Sequence, residues 1–269
     1  MRLQATIVVL ATAATFLAPR TGVAQSNRPE IRPSGKFAAP SREKDGVRVL
    51  FVGNSLTSGN DLPRVVQAMA RAAGVELRTA AVIEGGASLE DHWRLGRAQQ
   101  LLAVGRWTYV VFQQGPSSRP ESRAHLRRWS VRWAEEARRR GAIPALYMVW
   151  PFQRQKKGFE QVSLSYREPA KASRSMLLSA GDAWHEALQR DPALALYQSD
   201  RLHPTTAGTY LAALVISRGL AGISPRTVPA RLKLESGKEN VLPEDLAAKL
   251  RLAAEKVTGP EKIELIGPF

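Results

Sequence analysis

With 269 residues and a hydrophobic fraction of 44%, the chain can bury the core of one medium α/β domain, and wholesale disorder is excluded. It has no cysteine, so disulfides, thiolate catalysis and thiolate zinc sites are excluded, and His92, His125, His185 and His203 are too scattered for a paired metal motif. The formal charge of +15 is spread over many segments without a recognition motif, so nucleic acid is not an expected partner; an anionic polysaccharide or envelope surface suits such a basic chain better.

In chain order, the first feature is Met1-Arg2 followed by an apolar stretch over 5–17, with the small residues Gly22-Val23-Ala24 behind it. Residues 1–24 therefore read as a secretory signal peptide, whose apolar part is short for a bilayer span. The alternative is an uncleaved anchor, and either way the body is expected outside the cytoplasm, secreted or periplasmic. Residues 25–46 are rich in Pro, Ser and charge without apolar periodicity, and read as a flexible linker.

Order is predicted to begin with the continuous apolar run Val49-Leu50-Phe51-Val52, of the kind a buried parallel strand shows. A helix over 61–73 follows, with Leu62, Val65, Val66 and Met69 on one face. The cycle repeats: strand 76–83, helix 89–104, strand 108–113, helix 121–140, strand 143–150. Residues 151–168 read as an irregular excursion above the sheet. A short strand over 175–179, a helix over 182–189 and an amphipathic helix over 205–220 complete a domain spanning 47–222. Residues 223–269 read as an extension with one helix, 243–257. Strands alternating with helices at this spacing predict a five-stranded parallel sheet covered on both faces, a three-layer α/β/α sandwich. In such sheets functional groups collect at the carboxyl ends of strands.

Two motifs stand at those ends. Gly53-Asn54-Ser55-Leu56-Thr57 follows the first strand, where a glycine permits a sharp turn and a serine is held up at the sheet edge. It is not the GxSxG elbow, since position 57 is Thr, and it lacks the lysine and glycines of a phosphate loop. Asp200-Arg201-Leu202-His203 precedes the helix over 205–220. An Asp three residues before a His can reach imidazole Nδ1 and leave Nε2 free for a nucleophile, as a Ser-His-Asp triad requires. Alone, each motif reads equally well as a polar turn or a helix cap.

Taken together, these motifs resemble the SGNH/GDSL hydrolase superfamily. Gly53-Asn54-Ser55-Leu56-Thr57 looks like its first block and Asp200-x-x-His203 like its last. Glu84-Gly85-Gly86-Ala87-Ser88-Leu89 resembles the second block, whose glycine gives an N–H to the oxyanion hole. The phrases Gly85-Gly86-x-Ser88-Leu89-x-x-His92, Gly181-Asp182-Ala183-Trp184 and His203-Pro204-Thr205 are similar to a bacterial subgroup known mainly as a domain of unknown function. The resemblance covers residues 47–222 and implies a flavodoxin-like fold and a serine esterase needing no cofactor or metal. Ser55 would be nucleophile, His203 base and Asp200 its orienting acid, with Ser55 and Gly86 N–H groups in the oxyanion hole. The third block departs from the family pattern: where an Asn usually stands, the strand ends Phe112-Gln113-Gln114, so Gln113 or Gln114 is the expected third donor. His92 and Trp150 are the expected substrate contacts, with core packing the alternative for each. The expected substrate is a glycan O-acyl ester or a small ester. A lysophospholipase or thioesterase, and a non-catalytic polysaccharide-binding protein on the same fold, are the rival readings.

Overall fold

The structure, a computed structural model, describes residues 46–155 and 157–257. The signal-peptide and linker readings fall outside the described residues, which begin at Gly46. The elements run β1 (Val47–Gly53), α1 (Ser55–Ser58), α2 (Leu62–Ala72), β2 (Leu77–Ile83), α3 (Leu89–Leu95), α4 (Arg97–Val104), β3 (Tyr109–Phe112), α5 (Pro120–Arg139), β4 (Ile143–Tyr147), α6 (Gly158–Ser173), β5 (Met176–Leu178), α7 (Ala180–Arg190) and α8 (Thr206–Ala221). A short hairpin, β6 (Arg231–Lys233) with β7 (Glu239–Val241), and α9 (Glu244–Lys256) follow.

The five main strands form one parallel sheet in the order β2-β1-β3-β4-β5. Strand β1 lies between β2 and β3, and Val49 to Val52 are buried on both its faces, which is why its sequence is continuously apolar and not alternating. Helices α3, α5 and α6 cover one face, while α2, α7 and α8 pack together over the other. The chain leaves β1 for β2 on one side and later enters β3 on the other. That reversal opens a crevice above the carboxyl ends of β1, β2 and β3, where open α/β sheets bind ligands.

The structure departs from the sequence reading in four places. The expected helix over 89–104 is two helices, broken at Gly96, whose φ of 74° ends α3 and starts α4. The expected irregular stretch holds the helix α6, which buries Val162, Tyr166 and Ala170 at four-residue spacing. Pro169 inside it removes a single backbone bond, which the packing of that face against α5 outweighs. The strand expected over 143–150 ends at Tyr147; the Met148 N–H still donates to the Leu178 carbonyl of β5 at 3.0 Å, and the chain runs on buried to Trp150. The hairpin β6–β7 has three-residue strands, too short to show a period. Beyond residue 222, α9 packs on α7 and α8, so α8 is buried nearly all round. Each of Leu211, Leu214 and Ile216 there contributes about 1.5–3 kcal/mol relative to exposure.

Candidate active site

Strand β1 ends at Gly53, where space allows no side chain: a Cβ would lie 2.6 Å from Gln113 Oε1. Asn54 then caps the single turn α1, its Oδ1 accepting from the Leu56 N–H at 3.1 Å. Its Nδ2 donates to the Ala87 carbonyl at 3.0 Å, which couples the turn after β1 to the turn after β2. Ser55 is the first residue of α1.

The second element is the loop between α7 and α8. Asp200 Oδ1 accepts from the N–H groups of Leu202 (3.0 Å) and His203 (2.9 Å), while Oδ2 is bonded to His203 Nδ1. These donors, the Leu202 N–H foremost, then the His203 ring and N–H, hold the Asp200 carboxyl down at about 2. With an ionised carboxylate on Nδ1, that nitrogen carries the hydrogen, and in the neutral ring Nε2 is then the acceptor. Nε2 lies 2.8 Å from Ser55 Oγ. The loop is anchored from four directions. Trp150 Nε1 donates to the Leu202 carbonyl at 2.9 Å, and the Gln198 N–H to the His203 carbonyl at 2.8 Å. Asn60 Nδ2 donates both to the Pro204 carbonyl (2.9 Å) and to Thr209 Oγ1 (2.8 Å), tying the chain after Ser55 to the start of α8. Thr205 caps that helix through the Gly208 N–H.

Ser55 opens into a cavity of about 320 Å3 whose wall includes Gly86, Ser88, Gln114, Ser117, Ser122 and Leu202. Gly86 has a φ of 68°, a left-handed conformation that favours glycine. Among the described residues, neither the Ser55 nor the Gly86 N–H has a hydrogen-bond partner.

The two glutamines after β3 have opposite surroundings. Gln113 is turned beneath the Ser55 turn: its Oε1 accepts from the Asn54 N–H (2.9 Å) and Thr57 Oγ1 (2.7 Å), and its Nε2 donates to the Gln114 carbonyl at 2.6 Å. The expectation that it could serve the cavity is therefore corrected; it holds the turn from below. Gln114 lines the cavity. Its Oε1 accepts from the Leu89 N–H at 3.0 Å, which fixes the amide orientation, and its Nε2 faces Ser117 Oγ at 3.1 Å. One Nε2 hydrogen serves that bond and the other remains available.

The two expected substrate contacts are also corrected. His92 is 1% exposed, and its Nε2 donates to the Gly53 carbonyl at 2.9 Å. Burial lowers its affinity for protons, so it is a neutral donor holding the end of β1. Trp150 is 0% exposed and stacks on Trp184 with centroids 3.6 Å apart; it braces the Asp200–His203 loop and does not meet the cavity. The sequence reading missed Tyr166. Burial pushes its phenol well up, and its O–H donates to the carbonyls of Gln114 (2.5 Å) and Gly115 (3.0 Å). It lies on α6, the helix that was not foreseen. Among the described residues no group of His, Asp and Glu could hold a metal ion, and no helix is long and apolar enough to cross a membrane.

No family model matches the sequence, and no curated protein matches it. Solved structures do. A provisionally assigned SGNH hydrolase from Slackia heliotrinireducens is 27% identical, with a TM-score of 0.54 over 65% of this chain and 98% of that one. A DUF4886 family protein from Bacteroides uniformis gives a TM-score of 0.63 at 18% identity, covering 80% of this chain and 98% of that one. An acetyl xylan esterase gives 0.53 at 14% identity over 63% and 98%; these last two share the fold. On its parallel five-stranded sheet and this likeness, the chain belongs to the SGNH/GDSL hydrolase superfamily.

Proposed function

We propose that the protein is an exported serine esterase that removes a short acyl group, such as acetyl, from a glycan or small alcohol. The observation that carries this reading is Ser55 Oγ at 2.8 Å from a His203 Nε2 whose other nitrogen is bonded to Asp200. His203 takes the Ser55 proton as Oγ attacks the ester carbonyl, and the C=O electron pair moves onto oxygen. The Ser55 N–H, Gly86 N–H and Gln114 Nε2–H then meet that oxyanion. Collapse breaks the ester C–O bond, and His203 returns the proton to the departing alcohol. A water deprotonated by His203 repeats the attack on the acyl-enzyme and releases the acid. Asp200 holds the imidazole in place and stabilises its charged form throughout.

Two further features support the details. The cavity wall around Gly86, Ser88, Gly115, Ser117 and Ser122 is built of small residues, which suits a short acyl chain better than a fatty one. The basic start and apolar stretch over 5–17 support export. The test compares wild type with Ser55→Ala on 4-nitrophenyl acetate, butyrate and decanoate. Hydrolysis that depends on Ser55 and is fastest with acetate is expected. Equal rates for both proteins would sink the esterase reading, and a preference for decanoate would sink the short-acyl part.

A further inference from the structure

The alcohol half of the substrate has a place of its own. A leaving alcohol takes its proton from His203, so its body must lie along the loop that carries that histidine. That loop is joined side by side to the chain after β4. Trp150 Nε1 is bonded to the Leu202 carbonyl, and the Gln153 N–H donates to the Arg201 carbonyl at 3.0 Å. Tyr197 Oη donates to the Pro151 carbonyl at 3.0 Å. The joined segments make one rim, which adjoins the cavity through Leu202.

Three side chains on this rim are unexplained by the fold. Phe152 is 44% exposed, two residues beyond the buried Trp150. Arg154 is exposed and Arg201 half-buried, and neither guanidinium has an ion pair or hydrogen bond, unlike most arginines of the described chain. Arg201 also keeps a φ of 65°, a strained state for a residue with a side chain. The one acid on the rim, Asp200, is hydrogen-bonded to Leu202 and His203 and pairs with neither guanidinium.

We propose that this rim is a binding site for a sugar bearing a carboxylate, so that the ester hydrolysed is carried by an acidic glycan. The C–H face of the sugar ring packs on Phe152, and the carboxylate pairs with the guanidinium of Arg154, a geometry suited to bidentate bonds, with Arg201 adding positive charge beside it. The proposal rests on the esterase reading for which half of the substrate sits here, but binding can be measured without turnover.

The experiment is calorimetric titration of the Ser55→Ala protein with trigalacturonate and with neutral xylotriose. Trigalacturonate is expected to bind at least about tenfold more tightly than xylotriose, with a preference that shrinks in high salt. Phe152→Ala and Arg154→Gln are each expected to weaken trigalacturonate about fivefold. Arg106→Gln removes another exposed, unpaired cation away from the rim and is expected to change nothing. Equal affinity for both sugars, no binding of either, no effect of Phe152→Ala, or equal loss in Arg106→Gln and Arg154→Gln would each overturn the proposal. If the parent protein itself hydrolyses no ester, the esterase reading fails, and the titrations still decide the rim.

Discussion

Gln114→Glu tests the proposed third oxyanion donor. The new side chain has the same shape, and its Oε1 can still accept from the Leu89 N–H, a bond of 3.0 Å that keeps the start of α3 satisfied. What changes is the other arm: Nε2, which faces Ser117 Oγ and the cavity, becomes a carboxylate oxygen with nothing to donate. Loss of one such donor costs about a hundred- to a thousandfold in kcat, or about 2.7–4 kcal/mol of transition-state stabilisation. A negative charge facing the developing oxyanion adds to that loss, so the upper part of the range is expected. Ground-state binding uses the neutral carbonyl, so KM should move far less than kcat. The assay is steady-state hydrolysis of 4-nitrophenyl acetate, with thermal unfolding in parallel. A Gln114→Glu protein that keeps kcat within about threefold of wild type would refute the assignment of Gln114 to the oxyanion hole.

Other expectations follow from the neighbouring contacts. Gln113→Ala strips the acceptor from the buried Asn54 N–H and Thr57 hydroxyl, so it should cost stability first. One orphaned buried donor costs about 1–3 kcal/mol, equivalent to about 2–4 °C per kcal/mol in a domain of this size; an unchanged Tm would contradict the role given to it. For His92, burial favours the neutral ring, so below the ordinary imidazole value of 6.5 the unfolded chain binds the proton better. Stability from this site is complete above that value and is lost as pH falls from it toward the lower folded value. The urea midpoint of wild type should therefore drop more between about pH 7.5 and about pH 5 than that of His92→Gln, and parallel drops would argue against it. Asp200 stays ionised down to about 2, so acid inactivation well above that reports other groups. Asp200→Asn should lower kcat about 10^2–10^4-fold at every pH above it by losing the Nδ1 acceptor; a loss under about threefold would show the carboxylate to be dispensable.

The parts of this site that the sequence displays are those whose chemistry is local. A central strand buried on both faces must be continuously apolar, and Val49 to Val52 say so directly. The Asp200–His203 contact closes within one turn of chain, so its spacing is enough to suggest it. Which of two adjacent glutamines enters the cavity depends on the side of the strand end each faces, and neighbours on a strand face opposite ways. Nothing in the composition of Phe112-Gln113-Gln114 reveals that phase. His92 and Trp150 have the residue types of a binding site, but their partners, Gly53 and Leu202, are distant in sequence, and only the packing shows both turned inward. Among the described residues, the large aromatic left exposed is Phe152. Tyr166 went unnoticed because Gly158 and Pro169 interrupt the propensity of α6.

The central claim, that Ser55 is a nucleophile activated by His203, is tested most directly by covalent capture. The protein is treated with a fluorophosphonate and its intact mass and peptides are read by mass spectrometry. One phosphonyl group, located on Ser55, is expected in wild type, formed far more slowly in His203→Ala and absent in Ser55→Ala. An unlabelled wild type, or equal labelling of wild type and Ser55→Ala, would contradict it.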